Sequence, residues 1–177
     1  MAAKSIDNLY EVECQIFKRI NCYFEHRGLY IYFRLVTSVG GAVTEILAVL
    51  LILFFAEGTL HRTAVACAIS LTGSHIIVQV LKRLFPRNRP YLALAGAKVM
   101  KNPLTDHSFP SGHATAVFSV IIPLILYQPM LVFLLLPLAL SVATSRIFLG
   151  LHYPSDVLAG ISLGTLTGLI TYFQMMS

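Results

Sequence analysis

Charged residues are scarce in this sequence. Of its 177 residues only 12% are Asp, Glu, Lys or Arg, whereas 56% are hydrophobic. Soluble domains carry about 25% charged residues, so a soluble globule of this composition could not cover its surface with polar groups. The three cysteines, Cys14, Cys22 and Cys67, are odd in number and lack zinc-type spacing, so we expect them to be unpaired. Scarce charge therefore favours an integral membrane protein.

Long apolar runs take up most of the chain. A helix needs about 20 residues to cross a bilayer. The uncharged stretch 114–144 is too long for one crossing, and "YQP" at 127–129 offers a turn between two short helices. We predict an all-α, polytopic transmembrane helix bundle of about five spans, at Tyr30–Phe55, Thr63–Leu81, Gly112–Tyr127, Met130–Ser145 and Pro154–Phe173.

The amino-terminal segment has a different pattern. Its start is polar, so we expect no signal peptide. Residues 8–26 place Leu9, Val12, Ile16, Ile20 and Tyr23 at helical spacing, which predicts an amphipathic helix lying in the membrane interface and ending near residue 28. The alternative is a helix packed on the protein's own loops. We divide the chain into this interfacial helix, 1–29, and a membrane-embedded domain, 30–177.

An odd number of crossings brings the polar segments 82–111 and 145–154 to one face of the membrane. The first holds "KRLFPRNRP", with Lys82 and Arg89 seven residues apart. Taken alone, a cationic run beside a membrane is more often an anchor for anionic headgroups or a topology signal.

Two further motifs change that interpretation. In "SFPSGHATA", Ser111 and Gly112 begin a helix whose free N–H groups favour phosphate, and His113 lies beside that anion as a proton donor. In "SRIFLGLHYPSD", Arg146 precedes His152, and Asp156 lies four residues further on, where its carboxylate can fix the imidazole tautomer. Cations, two histidines and a helix amino terminus on one face indicate phosphoryl transfer. We expect no metal and no cofactor, because too few acidic residues lie near the site to hold an ion.

The three motifs together resemble the signature of the type 2 phosphatidic acid phosphatase and haloperoxidase superfamily, and within it the small bacterial membrane lipid phosphatases. The resemblance implies that His152 is the nucleophile, that Asp156 orients it, and that His113 protonates the leaving oxygen and later activates water. It also implies that the phosphoryl oxygens are bound by Lys82, Arg89, Ser111, Gly112 and Arg146. Such bacterial members are usually described with six spans, one more than predicted here.

These observations predict a metal-independent lipid phosphatase, and the resemblance implies that it works through a phosphohistidine. Phosphatidylglycerophosphate, phosphatidate and undecaprenyl diphosphate all fit as substrates. The alternative is a non-enzymatic anion or lipid transporter, which would need polar residues through several spans, and only the stripe Thr72, His75, Gln79 offers one. That stripe leads to Lys82 and either lines the headgroup cavity or bonds neighbouring helices.

The expected partners are the lipid substrate and the membrane, with no nucleic acid. Gly160, Gly164 and Gly168 form a face that allows close helix approach, within the fold or in a homodimer. Orientation gives conflicting signals. All Lys and Arg residues except Arg62 fall on the side of the site, which the positive-inside rule makes cytoplasmic, whereas the resemblance implies a site facing outward from a multi-pass cell-membrane protein.

Overall fold

The structure is a computed structural model that describes the backbone of residues 2–177 and the side chains from Tyr10 onward. It is all-helical within that range. The principal helices are α1 (Ala2–Asn21), α2 (Arg27–Val39), α3 (Ala42–Phe55), α4 (Gly58–Leu84), the short α5 (Pro90–Ala93), α6 (Gly112–Tyr127), α7 (Val132–Phe148) and α8 (Pro154–Met176). Short 3₁₀ turns at Cys22–Glu25 and Pro129–Leu131 precede α2 and α7.

Three of these helices are long and apolar enough to cross a membrane: α4, α8, and α7 together with the 3₁₀ turn that precedes it. The bent pair α2 and α3 provides a fourth span if it is counted as one. Helix α6 has 16 residues, about 24 Å at 1.5 Å per residue, so it is short for a bilayer core of about 30 Å. The predicted polytopic helical bundle is confirmed, and the apolar runs correspond to its helices.

The first predicted span is not one continuous helix. It breaks at Gly40–Gly41, where α2 and α3 meet at a bend of 50°. A β-carbon on Gly40 would lie 2.5 Å from Val142 Cγ1 and 3.2 Å from the His113 carbonyl oxygen. Glycine therefore permits the backbone at the bend to lie directly against α6 and α7, beside His113.

Helix α6 is the centre of the bundle and packs against α4, α7 and α8. The glycine face of α8 makes this possible, because a β-carbon on Gly160 would lie 2.6 Å from the Ser111 carbonyl oxygen and one on Gly168 3.0 Å from Ile122 Cβ. These glycines are buried within the fold. The homodimer through Gly160, Gly164 and Gly168 is therefore not supported, because α6 already occupies that face.

Helix α1 is longer than predicted at its start and ends at Asn21, and Gly28 lies inside α2 rather than ending a helix. Its buried residues are Cys14, Phe17 and Asn21, which face the protein. Val12 and Ile16 of the predicted apolar face are exposed, while the side chain of Leu9 lies outside the described part. The helix thus packs against α7, α8 and the loop at Lys98, and it presents Val12 and Ile16 outward. Its position in the membrane interface stays a prediction.

Candidate active site

A cavity of about 130 Å³ lies at the end of the bundle where α4 ends and α6 begins. It brings together residues from all three sequence motifs: Lys82 from the first, Gly112 and His113 from the second, and His152 from the third. Gly40 and Ala42 at the α2–α3 bend complete one wall. The predicted meeting of distant polar segments at one end of the molecule is what the structure shows.

His152 lies in the loop between α7 and α8 and is only 1% exposed. Its backbone N–H donates to the Arg146 carbonyl oxygen at 3.1 Å, which fixes the loop. The Arg89 Nη1 atom lies 3.2 Å from His152 Nε2. Because a guanidinium can only donate, this contact requires a lone pair on Nε2. The ring nitrogen facing the cavity is therefore the one that could act as a nucleophile.

Asp156 does not bond directly to His152 as the sequence suggested. Its Oδ2 atom lies 3.8 Å from His152 Nδ1, beyond hydrogen-bond range. Ser108 bridges the two instead: its Oγ donates to Asp156 Oδ2 at 2.5 Å and lies 3.4 Å from His152 Nδ1. Asp156 Oδ2 also accepts the Tyr153 backbone N–H at 2.8 Å. The carboxylate thus holds the imidazole through a serine, because its helical position at the start of α8 directs it to the loop before α6.

Arg87 holds the second oxygen of this carboxylate. Its Nη1 donates to Asp156 Oδ1 and to the Ser155 hydroxyl, each at 2.8 Å. The guanidinium also pairs with Glu13 of α1 and lies 3.9 Å from the centre of the Tyr153 ring. Helix α1 is therefore connected through Arg87 to Asp156, which with His152 forms the candidate dyad.

The three predicted cations are buried around the cavity. Arg89 is 1% exposed and Arg146 2% exposed. Arg146 Nη1 donates to Thr37 Oγ1 at 2.6 Å, so α2 anchors this side chain. Among the described side chains, Arg146 Nε and Nη2 and Ser111 Oγ are buried without a hydrogen-bond partner. Orphaned buried donors are costly, and these three atoms belong to two predicted phosphate-binding residues, so they can donate hydrogen bonds to an anion.

Asp106 occupies part of the anion position in this structure. It pairs with Lys82, and its Oδ1 accepts from Arg89 Nη2 at 2.6 Å. The residue lies in the loop between α5 and α6, and its side chain is 50% exposed. The position between Lys82 and Arg89 can therefore hold an anionic group.

The electrostatic environment shifts the pKa values of His152 and Asp106, which both lie in loops. Burial lowers the pKa of His152 to about 4, and the Arg146 and Arg89 charges add to this effect, whereas the nearby Asp156 carboxylate opposes it. For Asp106, burial raises the pKa, but the pairs with Lys82 and Arg89 outweigh it and lower the pKa to about 2. At neutral pH the His152 ring is therefore neutral and Asp106 is ionised.

A larger cavity of about 480 Å³ lies beside the first, between α3 and α4. Its walls are mainly apolar, including Ile46, Leu71, Ile76 and Val80. The cavity is also lined by the polar stripe of the sequence, Thr72, His75 and Gln79. This position agrees with the interpretation of the stripe as a cavity lining. We call this cavity the lateral groove.

The family assignment rests on the sequence profile of the PAP2 superfamily, which matches residues 63–176. The chain belongs to the PAP2 superfamily. The resemblance inferred from the three motifs is thereby confirmed, and the matched region contains every predicted site residue. All eight of those residues come from one PAP2 region, whereas Glu13 and Thr37, which contact Arg87 and Arg146, precede it.

Two curated relatives illustrate the match of this PAP2 chain. It is 31% identical to the putative undecaprenyl-diphosphatase YbjG of Escherichia coli over 59% of this chain and 52% of that protein. It is 40% identical to the decaprenylphosphoryl-5-phosphoribose phosphatase of Mycobacterium tuberculosis over 55% of this chain and 52% of that one. The chain thus spans about half the length of these curated relatives.

Two crystal structures share the fold. Aquifex aeolicus LpxE superposes with a TM-score of 0.79 at 22% identity, covering 89% of this chain and 92% of that one. The Bacillus subtilis transmembrane PAP2-type phosphatidylglycerolphosphate phosphatase gives 0.79 at 21% identity, covering 98% and 89%. At this identity the likeness establishes the shared helical fold of the PAP2 chain.

Proposed function

We propose that this PAP2 chain is a membrane lipid phosphatase that hydrolyses a terminal phosphate through a phosphohistidine at His152. The observation that carries the proposal is a cavity lined by His152, whose unprotonated Nε2 accepts from Arg89. The buried Arg146, whose charge acts on His152, has two donor atoms without partners among the described residues. A nucleophile beside unpaired cationic donors fits an incoming phosphoryl group.

In the proposed first step, His152 Nε2 attacks phosphorus, and a new N–P bond forms as the bond from phosphorus to the leaving oxygen breaks. His113, which lines the same cavity, donates a proton to that oxygen. In the second step His113 takes a proton from water, whose oxygen attacks phosphorus. The N–P bond then breaks, and inorganic phosphate and the free His152 ring result.

The cations supply most of the acceleration in this proposal. Lys82, Arg89 and Arg146 would neutralise the equatorial oxygens, and the Ser111 hydroxyl and Gly112 N–H would add hydrogen bonds at the start of α6. Fixed donors in a site with little water are worth more than the same groups in solution. The proposed reaction uses no metal, and among the described residues no three His, Cys, Asp or Glu side chains cluster as ligands.

A lipid substrate is supported by the lateral groove, which adjoins the phosphoryl cavity and has apolar walls. Exposed Ile46 and Ile76 show that the groove lies at the surface of the bundle. A hydrocarbon chain could enter it without leaving the bilayer. We also propose that the site faces outward, on the basis of the family resemblance.

The decisive assay is phosphate release by purified protein in detergent from phosphatidylglycerophosphate, phosphatidate and undecaprenyl diphosphate. We expect release from at least one of them, and unchanged rates when a chelator is added. His61→Ala, an exposed histidine in the first turn of α4, serves as a matched control for variants of the site histidines. Absence of hydrolysis with every lipid would contradict the proposal, and loss of activity with chelator would contradict the metal-free step.

Arg87→Ala tests the contact between the amino-terminal helix and Asp156. Without Arg87 the Asp156 charge is less neutralised and stabilises the protonated His152 ring more strongly, so the pKa of His152 rises. We therefore expect the acid limb of the kcat/KM profile to move to higher pH and kcat to fall by about tenfold. The control is Asn88→Ala, an exposed neighbour. An unmoved acid limb at wild-type Tm would show that Arg87 has no influence on the dyad.

A further inference from the structure

The phosphoryl cavity and the lateral groove share three lining residues, Ala42, His75 and Gln79. A molecule with its phosphoryl group at His152 and its chain in the groove must therefore pass between His75 and Gln79. The chemistry at this junction decides what part of a substrate can lie there.

Helix α4 provides both polar residues of the junction, and Ala42 at the start of α3 lies beside them. On α4, residues 75, 78, 79 and 82 line the phosphoryl cavity, whereas 72, 76, 80 and 83 line the groove together with 75 and 79. Positions four apart on a helix lie on the same face, so His75, Gln79 and Arg83 form one polar row along the groove. Arg83 is adjacent in sequence to Lys82 but faces the other cavity.

One ring nitrogen of His75 lacks a hydrogen-bond partner within the range that the structure describes. Its Nδ1 atom is buried and, among the described residues, has no hydrogen-bond partner. Three other buried side-chain atoms in the described part of the chain also lack a partner, and they belong to Ser111 and Arg146 at the phosphoryl site. The junction therefore shares with that site an orphaned polar atom that a ligand could satisfy.

The charge at the junction is positive. Arg83 is an exposed cation on the groove, and of the residues lining the two cavities the single acidic one is Asp106, which is already paired with Lys82 and Arg89. The exposed Arg83 thus lacks an acidic neighbour in the groove lining. A neutral glycerol backbone would leave this cation and the His75 ring without a matching group, whereas an anion would pair with both.

We propose that His75, Gln79 and Arg83 form a second anion subsite, which binds the inner phosphate of a lipid diphosphate while the outer phosphate lies at His152. This inference rests on the proposed function and names its substrate class, the diphosphate of a long-chain alcohol. His152 Nε2 bonds to the outer phosphorus, and the bond from that phosphorus to the bridging oxygen breaks. The bridging oxygen leaves with the inner phosphate and takes the proton from His113, and water then releases inorganic phosphate.

The subsite would act on the leaving group. The lipid monophosphate that departs carries the negative charge that develops on the bridging oxygen, and Arg83 would stabilise it. Binding that is stronger in the transition state, where this charge develops, than in the bound substrate raises kcat. Selectivity for diphosphates over monophosphates therefore depends on this row of α4.

The test compares kcat/KM for undecaprenyl diphosphate and for phosphatidate, in the same detergent, for wild type and Arg83→Gln. Because Arg83 is exposed, the substitution leaves the core intact. We expect the ratio of the two kcat/KM values to fall about tenfold or more, the size of a lost charge-assisted hydrogen bond. His75→Ala should lower the same ratio. Arg62→Gln, an exposed arginine near the other end of α4, should leave the ratio at the wild-type value.

An equal loss on both substrates, or an unchanged ratio, would overturn the subsite. So would a wild-type protein that hydrolyses phosphatidate but not the diphosphate, which would leave the proposed phosphatase function standing. Failure to hydrolyse either lipid would instead refute the proposed function itself.

Discussion

His152→Ala is expected to lower kcat for lipid phosphate hydrolysis by at least about 10³-fold, the scale seen when an enzyme loses its nucleophile. The ring is 1% exposed and its Nε2 is the nitrogen that faces Arg89, so no solvent group can take its place. The remaining cations would still bind the substrate. Its affinity should therefore change far less than the rate.

The control for this variant is His61→Ala, which removes an exposed imidazole from the first turn of α4 and should retain wild-type turnover. Thermal unfolding of each variant separates lost chemistry from lost folding. A His152→Ala protein that folds and keeps more than a tenth of wild-type kcat would show that another group attacks phosphorus. The same variant distinguishes a phosphatase from a carrier. A phosphatase loses turnover, whereas a carrier could keep moving its solute without this nucleophile.

Arg146→Ala should have the second largest effect, a loss of about 10²–10³-fold in kcat, as for removal of one preorganised donor to a developing charge. Its Nε and Nη2 atoms are buried without partners, while Nη1 is fixed by Thr37. The side chain is thus held in place with two donors free for phosphoryl oxygens. Arg146→Lys should recover little of the lost kcat, because a single ammonium cannot reproduce a forked pair of donors.

The measurements are kcat and KM for both variants beside Arg34→Gln, an exposed arginine of α2. An effect confined to KM would mean that Arg146 binds substrate and transition state equally. Full activity of Arg146→Lys would contradict the forked contact. Either result would remove Arg146 from the group of residues that stabilise the transition state.

The helices of the bundle were predictable because uncharged runs bounded by charges and prolines set where the chain can cross a bilayer. The bend at Gly40–Gly41 was not, since it follows from how close Val142 and the His113 carbonyl come to the backbone. Nor does the sequence of α1 indicate which of its two faces is buried. That depends on distant contacts: Phe17 packs among residues of α6, α7 and α8, and Asn21 donates to the Lys98 carbonyl oxygen.

The spacing of residues within each motif predicted which side chains lie near one another, but not the contacts between motifs. Each motif lies at a helix start or end, so closing the bundle brings the eight predicted residues to one end of the molecule. Their roles stay predictions. Ser108 belongs to the quoted second motif, yet its bridge between His152 and Asp156 depends on a contact with the third. The sequence near Glu13 does not single it out, because the same helix also carries the exposed acidic residue Glu11. The pairing of Glu13 with Arg87 depends on tertiary packing.

The most direct test is to trap the covalent intermediate. Purified protein is mixed with a lipid whose terminal phosphate is radiolabelled, quenched in alkali within milliseconds to seconds, and digested for peptide mapping. The account predicts an acid-labile, alkali-stable label on the peptide that contains His152, absent from His152→Ala and from protein given unlabelled lipid. Rapid turnover with no labelled peptide, or a label on the peptide that contains His113, would contradict it.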